Sequence, residues 1–345
     1  MGQKAVLLLE AARLLVDTVD HPIPRPNETQ VQVKVFVAGL NGHQKIRDLS
    51  IFLSKVGLPA VLANDVVGTV VAVADSVTSL NTGDRVLSQA DFALGTPQNG
   101  LQEHAVLDEQ FTAKLPDTVT NDDAATLPTN VIAALVAIFH DLPIPAPWTK
   151  AAERFDYAGT TLLIVGGGSV SGRYAIQLAR LAGVGRIVVV GGRQEELKAY
   201  GAAHVIDRHG SQAAVLERIR AIVGDDLLYA FDAVNMPEGH LLALNVLSSH
   251  TTGFFARLLP LPLDLAQVAG KKAGCEVRNV LGISSDRPEL CREFWKRLPG
   301  YLEAGELVPI EEGYAVVSGL TATNVNAILY GFKEAGKLKH AHVHL

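Results

Sequence analysis

The chain has 345 residues, 48% of them hydrophobic and 19% charged, which is enough for two domains with sizeable apolar cores. A net charge of −6 and a pI of about 6.0 exclude a basic nucleic-acid-binding surface, and the scattered basic residues exclude a basic membrane patch. Two cysteines, Cys275 and Cys291, cannot build a secreted disulfide framework, and we expect unpaired thiols in the cytoplasm.

The opening segment "MGQKAVLLLEAARLL" is like a signal peptide in its apolar content, but Glu10 and Arg13 interrupt the run. The sequence has no window of about 18 apolar residues free of charge, so we expect no membrane span. We therefore expect a cytoplasmic protein.

The first 125 residues predict a β-rich unit. The segment "VQVKVFVAGL" alternates polar and apolar residues, as a half-buried strand does. Two β-branched runs within "DVVGTVVAVADSVTSLNTGDRVL" predict two strands around a turn, and "NGLQEHAVLDEQFTAKLP" predicts two more.

From Asp122 the pattern becomes helical, and "DDAATLPTNVIAALVAIFHDL" predicts one amphipathic helix, followed by a proline-rich loop. Strand and helix patterns then alternate, which predicts a doubly wound parallel sheet in an α/β fold. The predicted strands are "TLLIV", "RIVVVGG", "HVIDR", "LLYAFDAV" and "TTGFFARLL".

The last segment predicts two helices, "DRPELCREFWKRLPGYLEAGEL" and "TATNVNAILYGFKEAG", before a final strand "KHAHVHL". His340, His342 and His344 would share one face of that strand, because side chains alternate along a strand. Three imidazoles on one face can bind a metal, but we expect an exposed strand edge instead.

A glycine-rich turn lies between the predicted strand "TLLIV" and the helix that begins near Gly172. In this context glycines let the backbone approach a dinucleotide pyrophosphate at the helix N-terminus. We therefore predict cofactor contacts from the residues of the turn: Gly166, Gly168, Ser169, Val170 and Ser171.

The next strand ends in Gly191-Gly192-Arg193, where NAD enzymes usually carry an acidic residue for the ribose 2′-hydroxyl. Arginine instead suits a 2′-phosphate, and Arg208 follows the strand after that. The sequence therefore favours NADPH over NADH, although both arginines could also be solvated surface residues.

Over essentially its whole length the chain resembles the medium-chain dehydrogenase/reductase superfamily. The resemblance rests on "NDVVGTVVAVADSVTSLNTGDRV", "NGLQEHAVL", "KLPDTVTNDDAATLP" and "AIQLARLAGVGRIVVVGGRQEELKAYGAAHVID", in the family's order. The proline-rich insertion and "YAFDAV" look most like fungal toxin-biosynthesis dehydrogenases and trans-acting enoyl reductases. The resemblance implies a GroES-like catalytic domain (1–125), a Rossmann NADP-binding domain (126–284) and a C-terminal segment (285–345) that returns to the catalytic domain.

Zinc-dependent members of this superfamily place a cysteine after the "VAGL" strand and a His-Glu pair before the signature glycine. Here these positions read "NGHQK" and Asn64-Asp65, and the four-cysteine structural zinc lobe is absent from the sequence. A catalytic zinc needs three protein ligands, and His43 with Asp65 would lack a third. We therefore expect a zinc-independent member with no metal.

Without a Lewis acid, a conjugated double bond is easier to reduce than a ketone, since the charge spreads into an enolate. By resemblance, Lys45 is the leading catalytic candidate and would bind the nicotinamide ribose or the enolate; a solvated lysine is the alternative. His43 could act as an acid. A family hydroxyl near the carbonyl falls on Ala133, leaving Thr129 and Asn130 as nearby donors or helix caps.

The resemblance further implies that "NVLGIS" (279–284) is a pocket strand. In it, Leu281 would line the cofactor and the substrate and Ile283 the substrate, while Lys339 would contact the cofactor. We expect Tyr229, Phe231 and Trp295 to lie in the core.

These expectations combine into an NADPH-dependent reductase of an activated C=C bond in secondary metabolism, acting on a small molecule that a polyketide synthase carrier could present. Alternatives are a quinone reductase, an alcohol or aldehyde dehydrogenase, and a non-redox isomerase, cyclase or binding protein on the same fold. Dimers of this superfamily extend the cofactor sheet near "TTGFFARLL". Arg257, Pro260 and Pro262 follow there, and edge prolines slightly favour a monomer.

Overall fold

A computed structural model describes residues 2–42, 57–91, 97–234, 237–258, 262–263, 266, 268, 270, 272–310, 313–332 and 340–345. The chain forms two compact units. The first contains residues 1–129 and 283–345, and the second contains residues 130–282.

The N-terminal part of the first unit is mostly strand, as predicted. Its strands are β1 (Gly2–Leu8), β2 (Val16–Pro22), β3 (Gln30–Asn41), β4 (Ala60–Val61), β5 (Asp65–Val73), β6 (Arg85–Gln89), β7 (His104–Asp108) and β8 (Thr112–Lys114). Two helices follow them, α1 (Asn121–Ala125) and α2 (Pro128–Val136).

The second unit alternates strands and helices. Its strands are β9 (Thr161–Val165), β10 (Arg186–Val190), β11 (His204–Ile206), β12 (Tyr229–Asp232), β13 (Gly253–Arg257) and β14 (Cys275–Asn279). Its helices after α2 are α3 (Val170–Leu181), α4 (Gln194–Tyr200), α5 (Gln212–Val223) and α6 (Pro237–Val246).

The chain then returns to the first unit. This segment contains α7 (Pro288–Glu303), β15 (Tyr314–Ser318), α8 (Ala322–Gly331) and β16 (His340–His344). In the first unit, a seven-stranded sheet has the order β15-β16-β3-β5-β6-β8, with β7 paired to β3, and a second sheet has the order β2-β1-β4.

The sheet of the second unit has the order β11-β10-β9-β12-β13-β14, and all its pairings are parallel. Its central strands are apolar runs such as Leu162–Val165 because helices cover both faces of a parallel sheet. The doubly wound α/β prediction is confirmed. A strand order that reverses beside β9 places a ligand crevice at the carboxyl ends of the strands.

Two expectations about the elements of the fold are wrong. The helix predicted over residues 122–142 is two helices, because Pro128 has no N–H to continue α1 and instead begins α2; a π-helical turn, Ala137–Asp141, follows α2. The strand around Arg257 is not the sheet edge, since β14 pairs with it on the far side. The argument for a monomer from prolines beside an edge strand therefore loses its basis.

Candidate functional site

The glycine turn after β9 has the geometry of a phosphate-binding loop. Gly166 has φ +87°, and a Cβ there would lie 1.8 Å from Val234 Cγ2. A Cβ on Gly168 would lie 3.1 Å from the Cα of Gly192, which ends the neighbouring loop. The turn therefore has room for backbone and not for side chains, which fits the close approach of a pyrophosphate.

Gly172 is a third glycine of this turn that the sequence prediction did not include among the site residues. A Cβ at this position would lie 2.3 Å from the carbonyl oxygen of Gly166, so only glycine lets α3 pack this close to the end of β9. The signal was present in the sequence. In the run Gly166-Gly167-Gly168-Ser169-Val170-Ser171-Gly172, Gly167 and Gly172 have the spacing of the first and last glycines of G-x-G-x-x-G, with Ser169 in the middle position.

The N-terminus of α3 is capped by the hydroxyl group of Ser169. Ser169 Oγ accepts a hydrogen bond from the N–H of Gly172 at 3.0 Å, and Val170 is the first helical residue. Ser171 Oγ donates to Asn130 Oδ1 at 3.0 Å, so a predicted cofactor residue and a predicted substrate residue bind each other. The remaining N–H groups and the helix dipole suit a phosphate anion.

The two predicted phosphate ligands lie near the end of β10. The Arg208 side chain lies against Gly191, where a Cβ would be 3.1 Å from Arg208 Cδ. The Arg193 side chain is 61% exposed, and its Nε donates to Glu196 at 2.9 Å, while Arg173 Nε reaches the other oxygen of Glu196 at 3.1 Å. Glu196, in the first turn of α4, is therefore already held by two arginines.

A buried polar cluster at the carboxyl ends of β12, β13 and β14 was not foreseen. Asp232 and His240 are fully buried, with their side chains 3.4 Å apart, and Arg257 is 7% exposed. Arg257 Nε donates to Asn279 Oδ1 at 2.9 Å, and its NH1 lies 3.4 Å from His240 Nδ1. Burial, followed by the charge of Arg257, lowers the pKa of His240. No local motif marks these residues, since each comes from a different strand or helix.

In the first unit, Asp65 lies at the start of β5 and is fully buried. Its Oδ1 accepts hydrogen bonds from the backbone N–H of Thr129 at 2.8 Å and from the Thr129 hydroxyl at 2.5 Å. Its Oδ2 accepts one from Asn41 Nδ2 at 2.7 Å. Thr129, a predicted substrate donor, is thus bound to a carboxylate at the N-terminus of α2, where a negative charge is favoured.

Asn41 begins the segment "NGHQK" and Asn64 precedes Asp65, the two places where the resemblance puts the cysteine and the His-Glu pair of zinc-dependent members. Asn41 donates to Asp65, and Asn64 Nδ2 donates to the carbonyl oxygen of Asp91 at 3.1 Å. Both amides are buried. The described residues contain no cluster of three or more His, Cys, Asp or Glu side chains suited to a metal ion.

The prediction that the strand of the three terminal histidines is an exposed edge is wrong. β16 lies between β15 and β3, and His340 and His342 are buried. His342 Nδ1 lies 2.7 Å from Asp122 Oδ1, and His344 Nε2 lies 2.8 Å from the same oxygen. The histidines therefore pair with carboxylates contributed by distant parts of the sequence.

Ala133, where a family hydroxyl was expected, is close to the backbone of Gly282. A Cβ on Gly282 would lie 2.6 Å from the Cα of Ala133, so only glycine fits at position 282. The prediction of a strand over residues 279–284 is wrong, because β14 ends at Asn279. Leu281 is 46% exposed and Ile283 is half-buried.

Among the aromatic residues expected in the core, Phe231 and Trp295 are buried and Tyr229 is half-buried. Trp295 Nε1 donates to Ser284 Oγ at 3.0 Å, and that hydroxyl donates to Gln89 Oε1 at 2.7 Å. Three predicted site residues, His43, Lys45 and Lys339, lie outside the described residues, and their roles stay predictions.

Two family models match the chain: the alcohol dehydrogenase GroES-like domain over residues 27–117, and the zinc-binding dehydrogenase over residues 172–257. The chain belongs to the medium-chain dehydrogenase/reductase superfamily. It is 28% identical over 287 residues to the trans-enoyl reductase fsr4 of Gibberella fujikuroi, which covers 81% of each chain. It is an oxidoreductase, with the GroES-like and Rossmann-like units that the sequence predicted.

Solved structures agree with this fold. The CurK enoyl reductase superposes with a TM-score of 0.77 at 18% identity, covering 100% of this chain and 98% of the other. The mycobacterial protein Rv1454c, solved in complex with NADPH, gives a TM-score of 0.72 at 21% identity, covering 99% of this chain and 100% of the other. Among the helices of the described residues, none has the length and apolar character that crossing a membrane requires.

Proposed function

We propose that the protein is an NADPH-dependent, zinc-independent reductase of activated carbon–carbon double bonds, with an enoyl thioester or enone as substrate. The observation that carries the proposal is that the amides of Asn41 and Asn64 are buried, and by resemblance they lie in the two segments where zinc-dependent members carry their cysteine and His-Glu ligands. An amide is a weak zinc ligand, and both amides already donate hydrogen bonds within the protein.

Bound NADPH would supply a hydride to the β-carbon of the conjugated system. The chain would hold its pyrophosphate on Gly166, Gly168 and the N-terminal N–H groups of α3. Lys45 would stabilise the negative charge that develops on the substrate carbonyl. The relative described as a trans-enoyl reductase supports an enoyl substrate. Presentation by a polyketide synthase carrier, in the cytoplasm, is part of the same proposal.

The preference for NADPH is tested by fluorescence titration with NADPH and, separately, with NADH. We expect NADPH to bind at least about tenfold more tightly, about 1.4 kcal/mol, and Arg208→Ala to remove most of that difference. Arg186→Ala is the matched control, because it removes an exposed arginine from the opposite end of the same strand, β10. Equal binding of both cofactors by the wild-type protein would refute the roles of Arg193 and Arg208.

The reaction is tested by following NADPH oxidation with an enoyl thioester, an enone and a quinone, each with and without a chelator. We expect turnover of the first two substrates, unchanged by the chelator. Turnover of the quinone alone would favour a quinone reductase, and alcohol oxidation that requires added zinc would favour a dehydrogenase. Failure to bind either nicotinamide cofactor would overturn the proposal and leave the non-redox alternatives.

A further inference from the structure

The last residues of three neighbouring strands form one row across the sheet of the second unit. Asp232 of β12 pairs with Arg257 of β13, and Arg257 pairs with Asn279 of β14. On its other side Asp232 pairs with Val165, the residue before the glycine turn. Directly paired residues project their side chains from the same face of a sheet. The row therefore brings a carboxylate and a guanidinium together beside that turn.

His240 of α6 lies over this row and contacts two of its members. Its Nδ1 lies 3.4 Å from Arg257 NH1, and its Nε2 lies 3.4 Å from Asp232 Oδ2. A guanidinium nitrogen can only donate, so Nδ1 is the acceptor, and the proton of the neutral imidazole is on Nε2, facing the carboxylate. His240 therefore connects a buried cation to a buried anion without carrying a charge itself.

The surroundings of His240 favour the neutral imidazole. His240 and Asp232 are fully buried, and the Phe255 ring meets the imidazole edge-on with centroids 5.8 Å apart. Burial, followed by the charge of Arg257, lowers the pKa of His240. Among the described residues, the charged side chains that contact His240 are Asp232 and Arg257. A second ring proton would therefore give this buried group a net positive charge.

Asp232 links His240 to the glycine turn. While its Oδ2 faces His240, its Oδ1 accepts a hydrogen bond from the N–H of Val234 at 2.8 Å. The Val234 side chain lies directly on Gly166, since its Cγ2 would be 1.8 Å from a Cβ at that position. The orientation of one carboxylate therefore decides how the chain after β12 packs on the first glycine of the turn.

We propose that His240 is a positioning residue for the nicotinamide cofactor: the neutral imidazole keeps Asp232 oriented towards Val234, and a protonated imidazole weakens cofactor binding. This inference rests on the proposed function, because it takes the glycine turn as the pyrophosphate site. His240 is fully buried, so it acts through Asp232 and does not touch the cofactor.

The effect of protonation follows from the contacts of the ring. A proton on His240 Nδ1 places two donors and two positive charges 3.4 Å apart, since Arg257 NH1 faces that nitrogen. The imidazolium has to turn away from Arg257, while its attraction for Asp232 grows. The carboxylate then leaves the N–H of Val234, and Val234 loses its fixed place on Gly166. Because proton uptake and cofactor binding are linked, bound cofactor must in turn make His240 harder to protonate.

The test measures the dissociation constant for NADP⁺ by isothermal titration calorimetry from about pH 8 to about pH 5, because the oxidised cofactor survives acid. The variants are His240→Gln and, as the matched control, His250→Gln. Glutamine keeps an acceptor for Arg257 and a donor for Asp232 but does not titrate. His250 also faces a carboxylate, Asp225 at 3.1 Å, but it is exposed and precedes β13, at the opposite end of that strand from Arg257.

We expect the dissociation constant to rise in acid at least about fivefold more for the wild type and His250→Gln than for His240→Gln. The 2′-phosphate of the cofactor itself titrates with a pKa of about 6, but it affects all three proteins equally and cancels in the comparison. The same pH dependence in the wild type and His240→Gln, with cofactor bound, would overturn this inference alone. Failure of the wild type to bind either nicotinamide cofactor at any pH would overturn both this inference and the proposed function.

A second measurement needs no activity and no variant that folds differently. In ¹⁵N-histidine-labelled wild-type protein, we expect the NMR signals of His240 to show a protonated Nε2 and an unprotonated Nδ1 at neutral pH. We expect its second proton to bind below the ordinary histidine pKa of about 6.5, and at still lower pH with saturating NADP⁺. A proton on Nδ1 in the neutral ring, or a titration that bound cofactor does not move, would overturn the inference.

Discussion

Gly172→Ala is the substitution that tests the glycine turn most directly. In a helix, alanine is more stable than glycine by up to about 1 kcal/mol, so propensity alone predicts a more stable protein. The new Cβ, however, would lie 2.3 Å from the carbonyl oxygen of Gly166 and 2.9 Å from Ser169 Oγ. Relief of this contact requires a backbone shift of about 1 Å, and overpacking of this kind costs about 1–3 kcal/mol.

The measurement is the urea midpoint of unfolding together with the dissociation constant for NADPH. We expect Gly172→Ala to lower the midpoint and to weaken NADPH binding at least about tenfold, because the displaced Gly166 carbonyl belongs to the pyrophosphate turn. Gly300→Ala is the matched control: Gly300 is also helical, and a Cβ there would meet nothing within 4 Å. This control should gain up to about 1 kcal/mol. Equal gains in both variants, with unchanged NADPH affinity, would refute the reasoning.

Three further outcomes are expected. Ser284→Ala should lower stability by about 1–3 kcal/mol in urea unfolding, because it leaves Trp295 Nε1 buried without its acceptor; a variant as stable as wild type would contradict this. Since burial lowers the pKa of His342 to about 4 from 6.5, the unfolded chain takes up this proton first on acidification. The free energy of unfolding should therefore fall as the pH drops from 6.5 towards 4, by at most about 3 kcal/mol. His342→Gln should reduce this dependence of the free energy of unfolding on pH. Burial raises the pKa of the Cys291 thiol to about 12, so mass spectrometry after iodoacetamide at pH 8 should find Cys275 alkylated and Cys291 intact.

Local pattern was enough for strands β9 to β13 of the second unit, whereas β14 was not among the predicted strands. The apolar run "TLLIV" is β9 residue for residue, because a strand buried on both faces needs no partner-specific signal. The break of the helix before Pro128 could have been predicted, since proline has no N–H. The alanine-rich sequence on both sides of Pro128 favoured one continuous helix instead.

The hydrogen-bond partners of the terminal histidines could not be predicted from the sequence. Their alternation along a strand was visible, but Asp122 and Asp65 lie 220 and 275 residues away from the histidines they contact. Only the sheet order, with β16 beside β3 and β3 beside β5, brings these groups together. Alternating histidines look the same in the sequence whether their strand is an exposed edge or an inner strand. Which of the two it becomes depends on the strands that pair with it in the fold.

The same reasoning explains why the second unit concentrates polar groups at one edge of its sheet. The glycine turn follows β9, Gly191 follows β10, and Asp232, Arg257 and Asn279 are the last residues of β12, β13 and β14. In a parallel sheet all carboxyl ends lie on the same side, so polar residues separated by more than a hundred positions in the sequence converge there.

Sequence motifs identify the glycine turn because its function depends on local backbone geometry. They do not identify Arg257 or His240, because burial of a charge beside an imidazole depends on which strands become neighbours. A search for further cofactor contacts in this protein should therefore follow the strand ends and not the spacing of residues along the chain.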